Sequence, residues 1–154
     1  MKEETLNNFI NNPESWVISE IIIRQSKKFP TFEVIEFIDG QKWSYEKMFI
    51  LALKAARYIH ELNIKKNESI LVMIDNPKNF IPIWLGAALL GVRFIAINTG
   101  LRGSVLFHQI KISSPKVIFT ESEFTKELSL IKIKKNIKIL NFKNITFKKK
   151  LNLK

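Results

Sequence analysis

The chain has 154 residues, the length of one domain. Hydrophobic residues make up 46% and charged residues 25%, which excludes disorder throughout, and the lack of cysteine excludes disulfide scaffolds, thiolate zinc sites and thiol catalysis. The net charge is +11, but nine lysines and no acids lie from Ile131 onward, so the body is near neutral and the tail is basic.

Residues 5–28 predict a helix, with Trp16, Val17, Ile21 and Ile22 at helical spacing before a Lys27-Lys28-Phe29-Pro30 stop. Residues 33–38 and 42–45 are β-rich. The Asp39-Gly40 pair between them is a hairpin signal, because glycine tolerates positive φ. Ser44 caps a helix running to Leu62, with Met48, Leu51, Ala52, Ala55, Ala56 and Ile59 along one side and Asn63 as a left-handed stop.

Residues 69–74 read SILVMI, a continuous apolar run that suits a strand covered on both faces. Asp75-Asn76-Pro77 is a turn, and Pro77 opens a helix that ends at Gly91. A second buried strand is predicted at 94–97, a loop at 99–103 and a helix at 104–112, stopped by Ser113-Ser114-Pro115. A strand at 117–120, a short helix at 123–130 and a fourth strand at 137–140 complete the pattern. The alternation predicts an α/β fold: a parallel sheet with helices on both faces. The domain spans 1–140, and 141–154 form a basic, frayed tail.

The most apolar stretch, 80–97, contains Pro82 and Arg93 and is divided at Gly91, whereas a spanning helix needs about 20 apolar residues. The first residues are polar and acidic, unlike a secretory signal, so the expectation is a cytoplasmic chain with peripheral membrane contact as an option. Lys, Asn, Ile and Phe, all with A/T-rich codons, dominate the composition, so part of the lysine excess follows codon bias. The tail holds only Phe142 and Phe147 as aromatics, too few for a stacking platform, and nucleic acid is not expected as a partner.

Ligands of open parallel sheets lie beyond the carboxyl ends of the strands. Those ends are Asp75-Asn76, Asn98-Thr99 and Thr120-Glu121. The candidate substrate-facing loop residues are Asp75, Asn76, Asn98, Thr99 and Arg102, weighed against plain turn chemistry and a solvated arginine. Glycine-rich nucleotide motifs are missing, and His60 and His108 have no partner identifiable from spacing. No catalytic residue and no metal ligand is assigned.

Residues 76–124 carry a recognisable pattern: Asn76, Pro77 and Phe80, then Trp84, Leu85, Gly86, Ala88 and Gly91, then Ile97, Asn98, Leu101, Arg102 and Gly103, then Leu106 and His108. This pattern resembles the N-terminal region of AMP-forming acyl-CoA synthetases, closest to the fatty acid transport protein / very-long-chain acyl-CoA synthetase branch. WSYEKM at 43–48 is similar to the motif opening that family's first helix. NIKKNES at 63–69 sits where the family has a glycine turn, with Asn63 and Asn67 in the glycine places. The resemblance covers residues 10–140.

What it implies is a ligase converting ATP, a fatty acid and CoA to acyl-CoA, AMP and diphosphate. ATP, magnesium and CoA are implied for the full-length family. This chain is expected to hold no cofactor, because the Ser/Thr/Gly phosphate loop, the adenylate and magnesium motif and the catalytic lysine do not occur in it. The expectation is a truncated N-terminal subdomain, inactive alone, whose partner is a separately encoded C-terminal remainder. The rival readings are a non-catalytic interaction module and a lipid or nucleic-acid binder acting through its basic tail.

Overall fold

The structure is a computed structural model that describes residues 11–12, 16–134 and 136–142. The chain divides into two compact units, 1–51 and 52–154.

The first unit holds helix α1 (Ile18–Lys28) and an antiparallel ribbon of β1 (Glu33–Glu36) and β2 (Lys42–Ser44). The expected helix at 5–28 is therefore described from Ile18; residues 1–10 lie outside the described residues. The hairpin forms, but with three residues at its tip. Phe37 N–H donates to Gln41 O at 2.9 Å and Gly40 N–H to Phe37 O at 2.8 Å, with Gly40 at φ 77°. That is a turn followed by a left-handed glycine, which shortens β1 to Glu36. The Phe37 and Trp43 rings meet edge to face at 4.7 Å, and both side chains are buried. Lys42 pairs with Glu33 at 3.0 Å, which holds its ammonium above the usual lysine range. Helix α2 (Tyr45–Glu61) follows, and its Lys47 N–H donates to the Ser44 hydroxyl at 3.2 Å.

The second unit is built on strand β3 (Ser69–Met73), every residue of which is buried. It is followed by α3 (Pro77–Leu90), β4 (Arg93–Ala96), α4 (Gly103–Ser113), β5 (Val117–Thr120), a 3-10 turn (Ser122–Phe124), α5 (Thr125–Ser129) and β6 (Lys138–Asn141). All four strands are parallel, in the order β4-β3-β5-β6.

Alternation along the strands feeds two cores. Ile70, Val72, Val117 and Phe119 pack with Ile59 of α2 and Ile83 and Ala87 of α3. Leu71, Met73 and Ile118 pack on the other side with Leu106 and Ile110 of α4 and Leu128 of α5. The doubly covered sheet expected from the sequence is thus present.

Three expectations change. The strand expected buried at 94–97 is β4, which among the described residues lies at an edge of the sheet, and its Arg93 and Ala96 are exposed. The helix expected at 123–130 breaks into a 3-10 turn and a five-residue α-helix. Strand β6 reaches Asn141, one residue into the segment assigned to the tail; residues 143–154 lie outside the described residues. No helix among the described residues is long and apolar enough to cross a membrane.

Local chemistry explains the remaining boundaries. Asn63 and Asn67 adopt φ of 59° and 66°, so asparagine supplies the left-handed turns. Glu68 accepts the Lys65 N–H at 2.9 Å and pairs with Lys116 at 3.1 Å. These contacts, the backbone donor first, hold its carboxyl below the ordinary range. A lowered carboxyl pKa contributes stability that is present above the ordinary value and lost as pH falls through the lowered one. In an NMR titration, Lys116→Met should raise the Glu68 pKa while leaving it below the ordinary carboxylate range, because the Lys65 donor remains.

Gly86 lies close against α2. A Cβ there would lie 2.7 Å from Ala56 N and 2.8 Å from Ala55 Cβ. Helix propensity alone favours Gly86→Ala by about 1 kcal/mol. Overpacking against backbone costs about 1–3 kcal/mol and wins here. Urea unfolding of Gly86→Ala should show a lower midpoint at unchanged slope; a raised midpoint would mean that propensity prevails.

Candidate functional site

The strand order reverses at β3, with β4 on one side and β5 on the other. A crevice therefore opens beyond the carboxyl ends of β3 and β5, the position where ligands of such sheets gather. Asp75, Asn76, Asn79, Glu121, Ser122, Glu123 and Phe142 line it.

Glu121 organises this crevice. Its Oε2 accepts the backbone N–H groups of Asp75 at 2.9 Å and Asn76 at 3.3 Å, and its Oε1 accepts the Asn79 amide at 2.8 Å. Asn76 is the N-cap of α3, its side-chain oxygen accepting the Lys78 N–H at 3.0 Å, with Pro77 next. The carboxylate of Glu121 thus lies against the positive end of α3, which the helix dipole favours. On the far side, the Thr99 hydroxyl donates to Asp75 Oδ1 at 2.6 Å. The Asn141 amide donates to the Ser122 hydroxyl at 3.1 Å and to that of Thr125 at 3.2 Å, closing the β5–β6 flank.

Of the five residues expected to face substrate, the structure brings together Asp75, Asn76 and Thr99. Asn98 and Arg102 stand apart. Asn98 Oδ1 accepts the Gly100 N–H at 2.7 Å, an Asx turn inside its own loop. The Arg102 guanidinium donates to the carbonyls of Thr99 at 2.6 Å and Leu101 at 2.9 Å, and its Nε lies 3.6 Å from Glu127 of α5. Arg102 thereby fastens its own loop and ties it to α5. Both histidines are exposed, His60 in the last turn of α2 and His108 on α4, and neither lines the crevice.

Glu121 and Asn79 are the residues that sequence reasoning did not promote. Glu121 was visible as a strand end. Its role needed the adjacency of β3 and β5, which no local signal carries. Asn79 lies three residues after Asn76, one turn along α3, a spacing that places both amides on one face.

The crevice does not fit a triphosphate. The N–H groups of Asp75 and Asn76, just ahead of α3, already serve Glu121, and the first-turn Lys78 N–H serves the Asn76 side chain. The carboxylates of Asp75, Glu121 and Glu123 line the same opening and would repel phosphate oxygens. Among the described residues there is no group of three or more His, Cys, Asp or Glu side chains able to hold a metal ion.

Residues 22–151 match the family described as AMP-binding enzyme. The chain belongs to the AMP-binding enzyme family. It is 25% identical over 89 residues to 4-coumarate–CoA ligase 3 of Arabidopsis thaliana, covering 58% of this chain and 16% of the relative. It is 22% identical over 109 residues to long-chain fatty acid transport protein 6 of Homo sapiens, covering 69% of this chain and 18% of the relative. The fold superposes on the Mycobacterium tuberculosis fatty acyl CoA synthetase with a TM-score of 0.75 at 19% identity, over 84% of this chain and 27% of that one. The chain thus spans less than a fifth of these two curated relatives. Its similarity extends to aryl as well as fatty acid members, so the fatty acid transport branch is one among several that it resembles.

Glu121→Ala should lower stability by about 1–3 kcal/mol, because two backbone donors and the Asn79 amide lose their acceptor. Glu121→Gln, which keeps one carbonyl oxygen, should cost less. Equal unfolding midpoints for Glu121→Ala and the unsubstituted protein would show that water replaces the carboxylate without loss.

Proposed function

We propose that this chain supplies the first parallel sheet of the AMP-binding region in an ATP-dependent, AMP-forming CoA ligase, with long-chain or very-long-chain fatty acids as the substrate class. The match over residues 22–151, on a doubly wound sheet of the same fold, is the observation that supports it. In this reading the chain acts as scaffold. Gly86 on α3, set against Ala52, Ala55 and Ala56 of α2, lets the two helices close tightly, while the reacting groups belong to chain beyond the matched sheet.

ATP, magnesium and CoA are then cofactors of the assembled ligase, and the partner is the polypeptide carrying the phosphate loop and catalytic lysine. The compartment that goes with this reading is the cytoplasm. On its own the 154-residue chain is inactive. The described residues offer a crevice with three carboxylates where a triphosphate would need donors, and the sequence has no Ser/Thr/Gly loop to stabilise charge in an adenylation transition state.

The test is pyrophosphate release with ATP, magnesium, CoA and a panel of fatty acids together with 4-coumarate. The purified chain should give no acid-dependent release. Its fusion to the part of the M. tuberculosis fatty acyl CoA synthetase that follows the matched sheet should give release with fatty acids. Turnover by the chain alone would overturn the inactivity. A folded, inactive fusion would favour a non-catalytic interaction module, and a preference for 4-coumarate would move the substrate to the aryl class.

A further inference from the structure

The opposite end of the sheet has a different chemistry. Where α4 ends and β5 and β6 begin, a pocket of about 240 Å³ opens between α4 and residues 132–134 and 136–137. Its floor is apolar: Phe107 and Ile110 from α4, Ile133 and Ile137 from the β5–β6 connection. Ile110, Ile133 and Ile137 belong to or pack against the core on this face, so the floor is held by the fold. Its rim is cationic. Lys111, Lys132 and Lys134 are exposed there and have no ion-pair partner among the described residues, while Lys116 is paired with Glu68 at 3.1 Å.

An apolar floor under a lysine rim is complementary to a molecule with an anionic head and a hydrocarbon chain. A bare phosphate would gain nothing from Phe107 and the isoleucines, and an uncharged chain would gain nothing from the lysines. The volume lies below the ~300–1,000 Å³ of most ligand pockets, which points to a short chain. We propose that this pocket binds a medium-chain fatty carboxylate, its head among Lys111, Lys132 and Lys134 and its chain against Phe107 and Ile133. The site lies at the amino ends of the strands, away from the crevice of Glu121, and does not depend on the ligase reading.

Amide-detected NMR titrations of the full chain with decanoate, decanol and butyrate, all below micelle-forming concentrations, test it. Decanoate should shift the amides of Phe107, Ile110, Ile133 and Ile137; decanol, without the charge, and butyrate, without the chain, should bind more weakly. Charge reversal in K132E/K134E should weaken decanoate about tenfold at unchanged melting temperature. F107D should weaken it likewise, and V105D, on α4 outside the pocket, should leave it unchanged. If K132E/K134E melts early, K132Q/K134Q replaces it. Decanol binding as tightly as decanoate, shifts gathering at Glu121 instead, or unchanged affinity in both the lysine and Phe107 variants would each overturn the proposal.

Discussion

Strand β3 is the constraint on which the second unit rests. Ser69 to Met73 are buried, and the strand pairs in parallel with β4 on one side and β5 on the other. A parallel strand covered on both faces must be apolar along its length, because either face would otherwise bury an unpaired polar group. SILVM meets that demand, and the hydroxyl of Ser69 lies at the strand's first position. From this strand the two cores take their alternate residues, and from its carboxyl end the chain enters α3.

The crevice follows from the same strand. Because β3 is central, the chain leaves it for β4 and returns to β5 on the far side, and the loops part at the reversal. In many folds that opening takes an anionic ligand at a helix N-terminus. Here the anion is a side chain, Glu121, and the start of α3 is satisfied from within the protein. Glu121 thereby fastens the end of β5 to the entry of α3. The network joins residues more than forty positions apart in sequence.

Charge is distributed along the strand axis. Carboxylates of Asp75, Glu121 and Glu123 line the carboxyl end, while Lys111, Lys116, Lys132 and Lys134 line a pocket at the amino end. The formal charge of +11 conceals this division.

Local signals in the sequence determined the elements: Ser44 and Asn76 as caps, Gly40 and Gly91 at positive φ, and the continuous run of β3, each acting within a few residues of itself. Asn63 and Asn67 were legible for the same reason, since asparagine is the residue that best replaces glycine in a left-handed turn. The tertiary structure alone decided that β4 is an edge strand, that Asn98 and Arg102 serve their own loop, and that Glu121 meets Asp75 and Asn79. Strand order is set by how helices cover the sheet as a whole, so contacts across it are written in no single stretch of chain.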